Sequence, residues 1–173
     1  MNENFFGEVL LGLLLLLAVI FDQREGRIPN KLILVGLFLA GGWNLYAQGL
    51  SGLLFSLQGL LAGLALLFIP FAMGGMGAGD VKLLALVGAF KGAAFAFYSF
   101  IFMALWGGLI AVGVLLLKGQ FKKTLLRLWT GTLLALSKVQ KMSMSLAAGN
   151  SGTSFPYALA IALGAVSAYF YKW

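Results

Sequence analysis

Residues 81–117 read VKLLALVGAFKGAAFAFYSFIFMALWGGLIAVGVLLL, and Lys82 and Lys91 are the only charges in them. As one helix this run would be about 55 Å long at 1.5 Å per residue, whereas the hydrocarbon core of a bilayer is about 30 Å thick. The run is therefore expected to form two helices joined near Lys91 and Gly92. Similar stretches lie on either side of it. Residues 5–21, FFGEVLLGLLLLLAVIF, are almost wholly apolar, and residues 32–47, 53–73 and 155–171 give further apolar runs. The first run has the look of a signal-peptide core, but no small-residue cleavage site follows it and more spans do, so a retained helix is expected. The fold expected is all-α: a polytopic membrane protein with about six transmembrane helices, in a single membrane-embedded domain over residues 1–173.

Composition supports that class. Of 173 residues, 61% are hydrophobic and 10% are charged, against about a quarter charged in an ordinary soluble domain. A soluble fold of this length has no interior large enough for so much apolar surface, and lipid supplies the solvent instead. There is no Cys and no His. Disulfides, thiolate metal sites and the usual general base are thereby excluded. No cofactor and no metal are expected, and any catalysis must use carboxylates, lysines, tyrosines or hydroxyls. The net charge of +7 fits a membrane-surface role better than nucleic acid binding, for which no partner is expected.

The basic residues also orient the spans. With the N-terminus outside, loops 22–31, 74–82 and 118–154 face the cytoplasm. They carry Arg24, Arg27, Lys31, Lys82, Lys118, Lys122, Lys123, Arg127, Lys138 and Lys141, leaving only Lys91 and Lys172 of the twelve outside. The positive-inside rule favours this topology, with both termini outside. Within the last loop, Lys123, Arg127, Lys138 and Lys141 share one side of a helical wheel. An amphipathic helix on the cytoplasmic face is expected over about 119–145, followed by a polar loop, AAGNSGTS, at 147–154. Gly59 and Gly63 form a GxxxG pair suited to close helix packing.

Five carboxylates remain. Glu3 and Glu8 read as solvation of the outer start of the first helix, and Glu25 as a local ion pair beside Arg24 and Arg27. Asp22 directly follows the first apolar run. Asp80 closes a glycine-rich segment, GGMGAGD at 74–80, and opens the next run. Either could be a helix boundary, since Asp caps helices well. Spacing adds a reason to think otherwise. From Asp80 to Lys91 a helix rises only about 16 Å, so Asp80 is expected inside the membrane if Lys91 reaches the outer interface. Gly74, Gly75, Gly77 and Gly79 would then form irregular backbone at depth, which is tolerated only beside protein or water. A hydrated cleft open to the cytoplasm is expected, with Asp22 reaching it from the same side. Two aspartates in one site share a proton, so one serves as acid and the other as base. Such a pair can activate a water against a peptide carbonyl without His, Cys or metal.

The segment GGMGAGDVKLLA at 74–85 resembles the GxGD signature of the prepilin peptidases, the type IV leader peptidases of the aspartyl protease class, including their Asp-x-Lys-Leu continuation. DQREGRIPN at 22–30 is similar to that family's D-x(n)-IPN element, and SFPYALAIA at 154–162 to the opening of its last helix. Tyr157 departs from the pattern where a glycine is expected soon after the proline. Presenilin-like proteases also carry a GxGD, but in larger chains with a different first-aspartate context. The resemblance implies a membrane aspartic endopeptidase of the bacterial cytoplasmic membrane. Its dyad would be Asp22 and Asp80, and it would remove the basic leader of type IV prepilins or pseudopilins at the cytoplasmic face. It implies loop roles for Gly77 and Gly79, a helix restart at Pro29 and Asn30 with Asn30 as cap, and either an interfacial or a dyad-tuning role for Lys82. The partners implied are the prepilin substrate, the bilayer and the pilus assembly machinery. With neither a cysteine-bearing insert nor any Cys, the chain looks like the short peptidase-only branch serving Tad-type pili (TadV/CpaA-like), without N-methyltransferase activity. A membrane ion or proton pathway, or a structural subunit of a secretion complex, is the alternative that the carboxylates alone leave open.

Overall fold

Apolar side chains around a whole helix need lipid or protein on every side, and a helix satisfies its own backbone hydrogen bonds there. The computed structural model describes residues 3–117 and 157–172, which form four helices and no strand. They are α1 (Glu3–Glu25), α2 (Asn30–Ala72), α3 (Ala78–Leu117) and α4 (Tyr157–Lys172). Three are long and apolar enough to cross a membrane, and α4 is a shorter apolar helix. The all-α membrane class expected from the sequence is the one found. The amphipathic segment at 119–145, the polar loop at 147–154 and residues 154–156 lie outside the described residues. The chain divides into two compact units, Met1–Trp106 with Phe155–Trp173, and Gly107–Ser154. Of the second unit, residues 107–117 are described, as the last turns of α3.

One glycine breaks each of the two longest helices. Gly49 in α2 has φ 65° and ψ −146°, and Gly92 in α3 has φ 85° and ψ 174°, a region essentially reserved for residues without a Cβ. At both the chain folds back. Gly52 lies against the carbonyl of Asn44, and Gly88 against the side chain of Ala96, whereas residues eight apart in an unbroken helix are about 12 Å apart. The joint expected near Lys91 and Gly92 is thus present, and a second falls at Gly49.

The first half of α3 sits at the centre of the first unit. Leu83, Leu84, Leu86 and Val87 are fully buried. Against it lies the second half of α2, so close that a Cβ on Gly59 would strike the carbonyl of Gly88, and a Cβ on Gly88 the carbonyl of Gly59. Gly63 continues the contact against Leu84 and Ala85, so the GxxxG pair is a backbone-to-backbone seam. On another side, Gly36 of α2 receives Leu86 and Leu14 of α1. The buried amide of Asn44 donates to the carbonyls of Ala40 at 3.0 Å and Ala89 at 3.1 Å.

One end of this unit is held by an ion pair. Lys91 Nζ lies 2.8 Å from Glu8 Oε1, and the Tyr169 hydroxyl donates to Glu8 Oε2 at 3.1 Å. The expectation that Glu8 merely solvates a helix start is corrected, because the carboxylate joins α1, α3 and α4 from a half-buried position. Trp106 Nε1 donates to Ser167 Oγ at 2.9 Å, adding a second tie between α3 and α4. With α1 and the first half of α3 running antiparallel, the end of α1 and the starts of α2, α3 and α4 gather at the opposite end.

The Gly59–Gly88 seam sets a stability prediction. Gly59→Ala is expected to destabilise the protein by about 2 kcal/mol or more, because backbone must move to admit the methyl group. Gly42→Ala, where a Cβ meets nothing within 4 Å, is expected to change stability by less than about 0.5 kcal/mol. Unfolding in detergent micelles, followed by circular dichroism, measures both.

Candidate active site

Asp22 stands on the last turn of α1. The helix closes where Gly26, at φ 64°, donates its N–H to the Asp22 carbonyl at 2.9 Å, a glycine stop that leaves the Asp22 side chain unengaged by the turn. The chain then crosses to α2 through Arg27, buried Ile28 and Pro29. Pro29, at φ −61°, occupies the cap position, and no side chain caps the helix. Its ψ of 129° is extended, as a cap position requires. The expected capping by Asn30 is therefore not what is seen. Asn30 is the first helical residue, and its Oδ1 accepts from Lys82 Nζ at 2.8 Å.

The glycine-rich segment builds the other half. Pro70, two residues before the end of α2, cannot donate a backbone hydrogen bond. The carbonyls at that end are satisfied by Met73, Gly74 and Gly75, whose N–H groups donate to Ile69, Phe71 and Pro70 at 3.0, 2.9 and 2.9 Å. Gly74 takes φ 75° to make the turn. Gly77 N–H then donates to Asp80 Oδ2 at 3.1 Å, and Asp80 N–H donates back to the Gly77 carbonyl at 3.2 Å. This is one half of a capping box, the carboxylate at the third helical position reaching back to the cap N–H, while the return bond goes to a backbone carbonyl because Gly77 has no side chain. Gly79 is accordingly helical, which corrects the expectation of irregular backbone there. A side chain on Gly77 would stand 3.3 Å from Asp80 Oδ2, and one on Gly79 would stand 3.3 Å from Ile28. Both glycines keep room, one for the carboxylate and one for the α1–α2 crossing.

Both aspartates lie at this end of the unit. Asp80 is buried, with 7% of its surface exposed, and Asp22 is near enough for the two charges to act on each other. Their other partners are N–H donors: Gly77 on Asp80, and the Ala158 N–H of α4 on Asp22. The Tyr157 hydroxyl donates to the Gly75 carbonyl at 2.7 Å, and the phenol stands close to Asp80. The start of α4 thus holds both halves, Asp22 through a backbone N–H and the Asp80 turn through Tyr157. Sequence reasoning did not single out Tyr157 or Ala158 for this. The signal was present in Tyr157 itself, a hydroxyl at the start of an apolar helix. Pro29, Asn30, Gly77, Gly79 and Lys82 all lie at this same end. Among the described residues no group of three or more His, Cys, Asp or Glu is placed to hold a metal ion.

A family model, described as the type IV leader peptidase family, matches residues 9–116. No curated protein sequence and no solved structure matches the chain. The matched stretch contains Asp22, Pro29, Asn30, Gly77, Gly79, Asp80 and Lys82, and ends before α4.

Removing the hydroxyl that ties α4 to the glycine turn gives a direct test of this geometry. Tyr157→Phe is expected to cost about 1 kcal/mol locally, so the amides of residues 74–80 should exchange with deuterium roughly fivefold faster. The amides in the middle of α1 should exchange as before.

Proposed function

We propose that this chain, which belongs to the type IV leader peptidase family, is an aspartic endopeptidase whose acid–base pair is Asp22 and Asp80. The observation that carries the proposal is their convergence. Two carboxylates 58 positions apart in the sequence lie at one end of an apolar bundle, where isolated charge is costly and ionisable groups are rare without a task. Family membership supports a type IV leader peptidase function in general, acting on prepilins from the bacterial inner membrane.

The reaction follows from what two carboxylates can do. A water between them loses a proton to the ionised aspartate and attacks the scissile carbonyl carbon. The protonated aspartate gives its proton to the carbonyl oxygen, producing a neutral tetrahedral diol. Collapse of the diol breaks the C–N bond. The leaving nitrogen takes the proton held by the first carboxylate, and a diol hydroxyl returns one to the second. The resting pair is restored without metal or covalent intermediate. Gly77 leaves open the approach to Asp80, its N–H holds one carboxylate oxygen in place, and the other oxygen is left for the water or substrate. Lys82, bonded to Asn30, ties the start of α2 to the start of α3.

The finer reading is that the substrates are type IV prepilins or pseudopilins with a basic leader before an apolar helix. They are cut at the cytoplasmic face, by a short enzyme of the branch that serves Tad-type pili, working beside the pilus assembly machinery. The excess of Lys and Arg in the loops at the Asp22–Asp80 end supports the cytoplasmic orientation, with both termini outside. The lack of any Cys supports peptidase activity without N-methylation of the product.

Purified protein reconstituted with a prepilin substrate tests the pair. Asp22→Asn and Asp80→Asn are each expected to lower the cleavage rate by roughly 10²–10⁴-fold or more, the usual worth of a general acid or base, while both variants keep the wild-type helical content. Cleavage at the wild-type rate by either variant removes that residue from the chemistry.

A further inference from the structure

A second feature lies on the other side of α3 from Asp80. The two halves of α2 and the first half of α3 enclose an apolar groove of about 460 Å³, walled by Leu34, Leu37, Leu60 and Leu64 and carrying Lys31 and Lys82 on its rim. These lysines are 51 positions apart in the sequence, and the meeting of α2 and α3 brings them to one mouth. Lys82 spends one N–H on Asn30. Neither lysine has a carboxylate partner among the described residues. Asp80 is the acidic residue nearest in sequence to Lys82, but two positions on a helix turn it about 200° away, and its carboxylate faces the Gly77 N–H. Lys82 is half-buried and Lys31 exposed, so two cations without a local counter-ion among the described residues border an apolar slot.

We propose that this groove is a binding site for an anionic glycerophospholipid, with one acyl chain between Leu34, Leu37, Leu60 and Leu64 and the phosphate at Lys31 and Lys82. Charge chooses this occupant over a peptide. An apolar segment led by basic residues would bring more positive charge to the lysines, whereas an anionic headgroup supplies the missing partner. The groove's size is that of a small-molecule pocket, and its one polar edge matches a molecule with one polar end. The proposal is independent of the peptidase assignment, since its test reads lipid retention and not cleavage.

The full chain in detergent, titrated with phosphatidylglycerol and with phosphatidylcholine and observed by native mass spectrometry, provides the test. Wild type is expected to hold phosphatidylglycerol in preference. Lys31→Ala with Lys82→Ala is expected to weaken that binding roughly 25-fold, about fivefold for each lysine. Leu37→Trp, which fills the slot and keeps both lysines, is expected to weaken it as well, and it carries the test if the lysine variant does not fold. Arg24→Ala with Arg27→Ala removes equal charge away from the groove and is expected to leave binding unchanged. Equal affinity for the two lipids overturns the proposal. So does an arginine variant that loses as much as the lysine variant, or undiminished binding by Leu37→Trp.

Discussion

Gly59 and Gly88 each lie so close to the other's carbonyl that neither has room for a methyl group, and this contact seats the first half of α3 in the middle of its neighbours. Without it α3 would stand off by the width of a side chain. Leu83, Leu84, Leu86 and Val87, all fully buried, would lose part of their enclosure. Asp80 stands one turn before these residues, so its depth and direction follow from the same seam. In lipid, where apolar burial between helices brings little, such close backbone packing is the main source of cohesion.

The two ends of the bundle handle charge in opposite ways. At one end Glu8 and Lys91 neutralise each other, and Tyr169 donates to the same carboxylate. That arrangement is closed, with opposite charges paired. At the other end lie two carboxylates, and their partners are N–H groups of Gly77 and Ala158. A proton shared between two such carboxylates is the property that the proposed acid–base chemistry on a peptide bond requires. The start of α4 matters to both halves, since Ala158 bonds Asp22 and Tyr157 bonds the turn that carries Asp80. α4 begins beyond the stretch that the type IV leader peptidase model matches.

Much of this arrangement was legible in the sequence for definite physical reasons. An apolar run nearly twice the thickness of a bilayer must fold back, and Gly92 beside Lys91 was the residue able to do it. A GxxxG pair in an apolar helix marks a backbone contact whatever its partner. Asp22 and Asp80 stood out because charge at the edge of an apolar run is costly. What stayed hidden depended on contacts between distant residues. Nothing local in FFGEVLL at residues 5–11 shows that Glu8 will meet a lysine 83 positions later. Gly79 looked like loop because three other glycines precede it, but the bonds between Asp80 and Gly77 make helix the better choice. Tyr157 stood out only as a departure from a motif, and its use appears once Gly75 lies opposite.

The central claim is that Asp22 and Asp80 face one another across a single site. The chain has no native Cys, so paired cysteines report on it cleanly. In an Asp22→Cys, Asp80→Cys double variant, a short bifunctional thiol reagent should link the two positions within one chain in high yield. An Asp22→Cys, Lys91→Cys variant, with its positions at opposite ends of the bundle, should give no link. Efficient linking of the second pair, or failure of the first under conditions where both thiols react singly, would contradict the account.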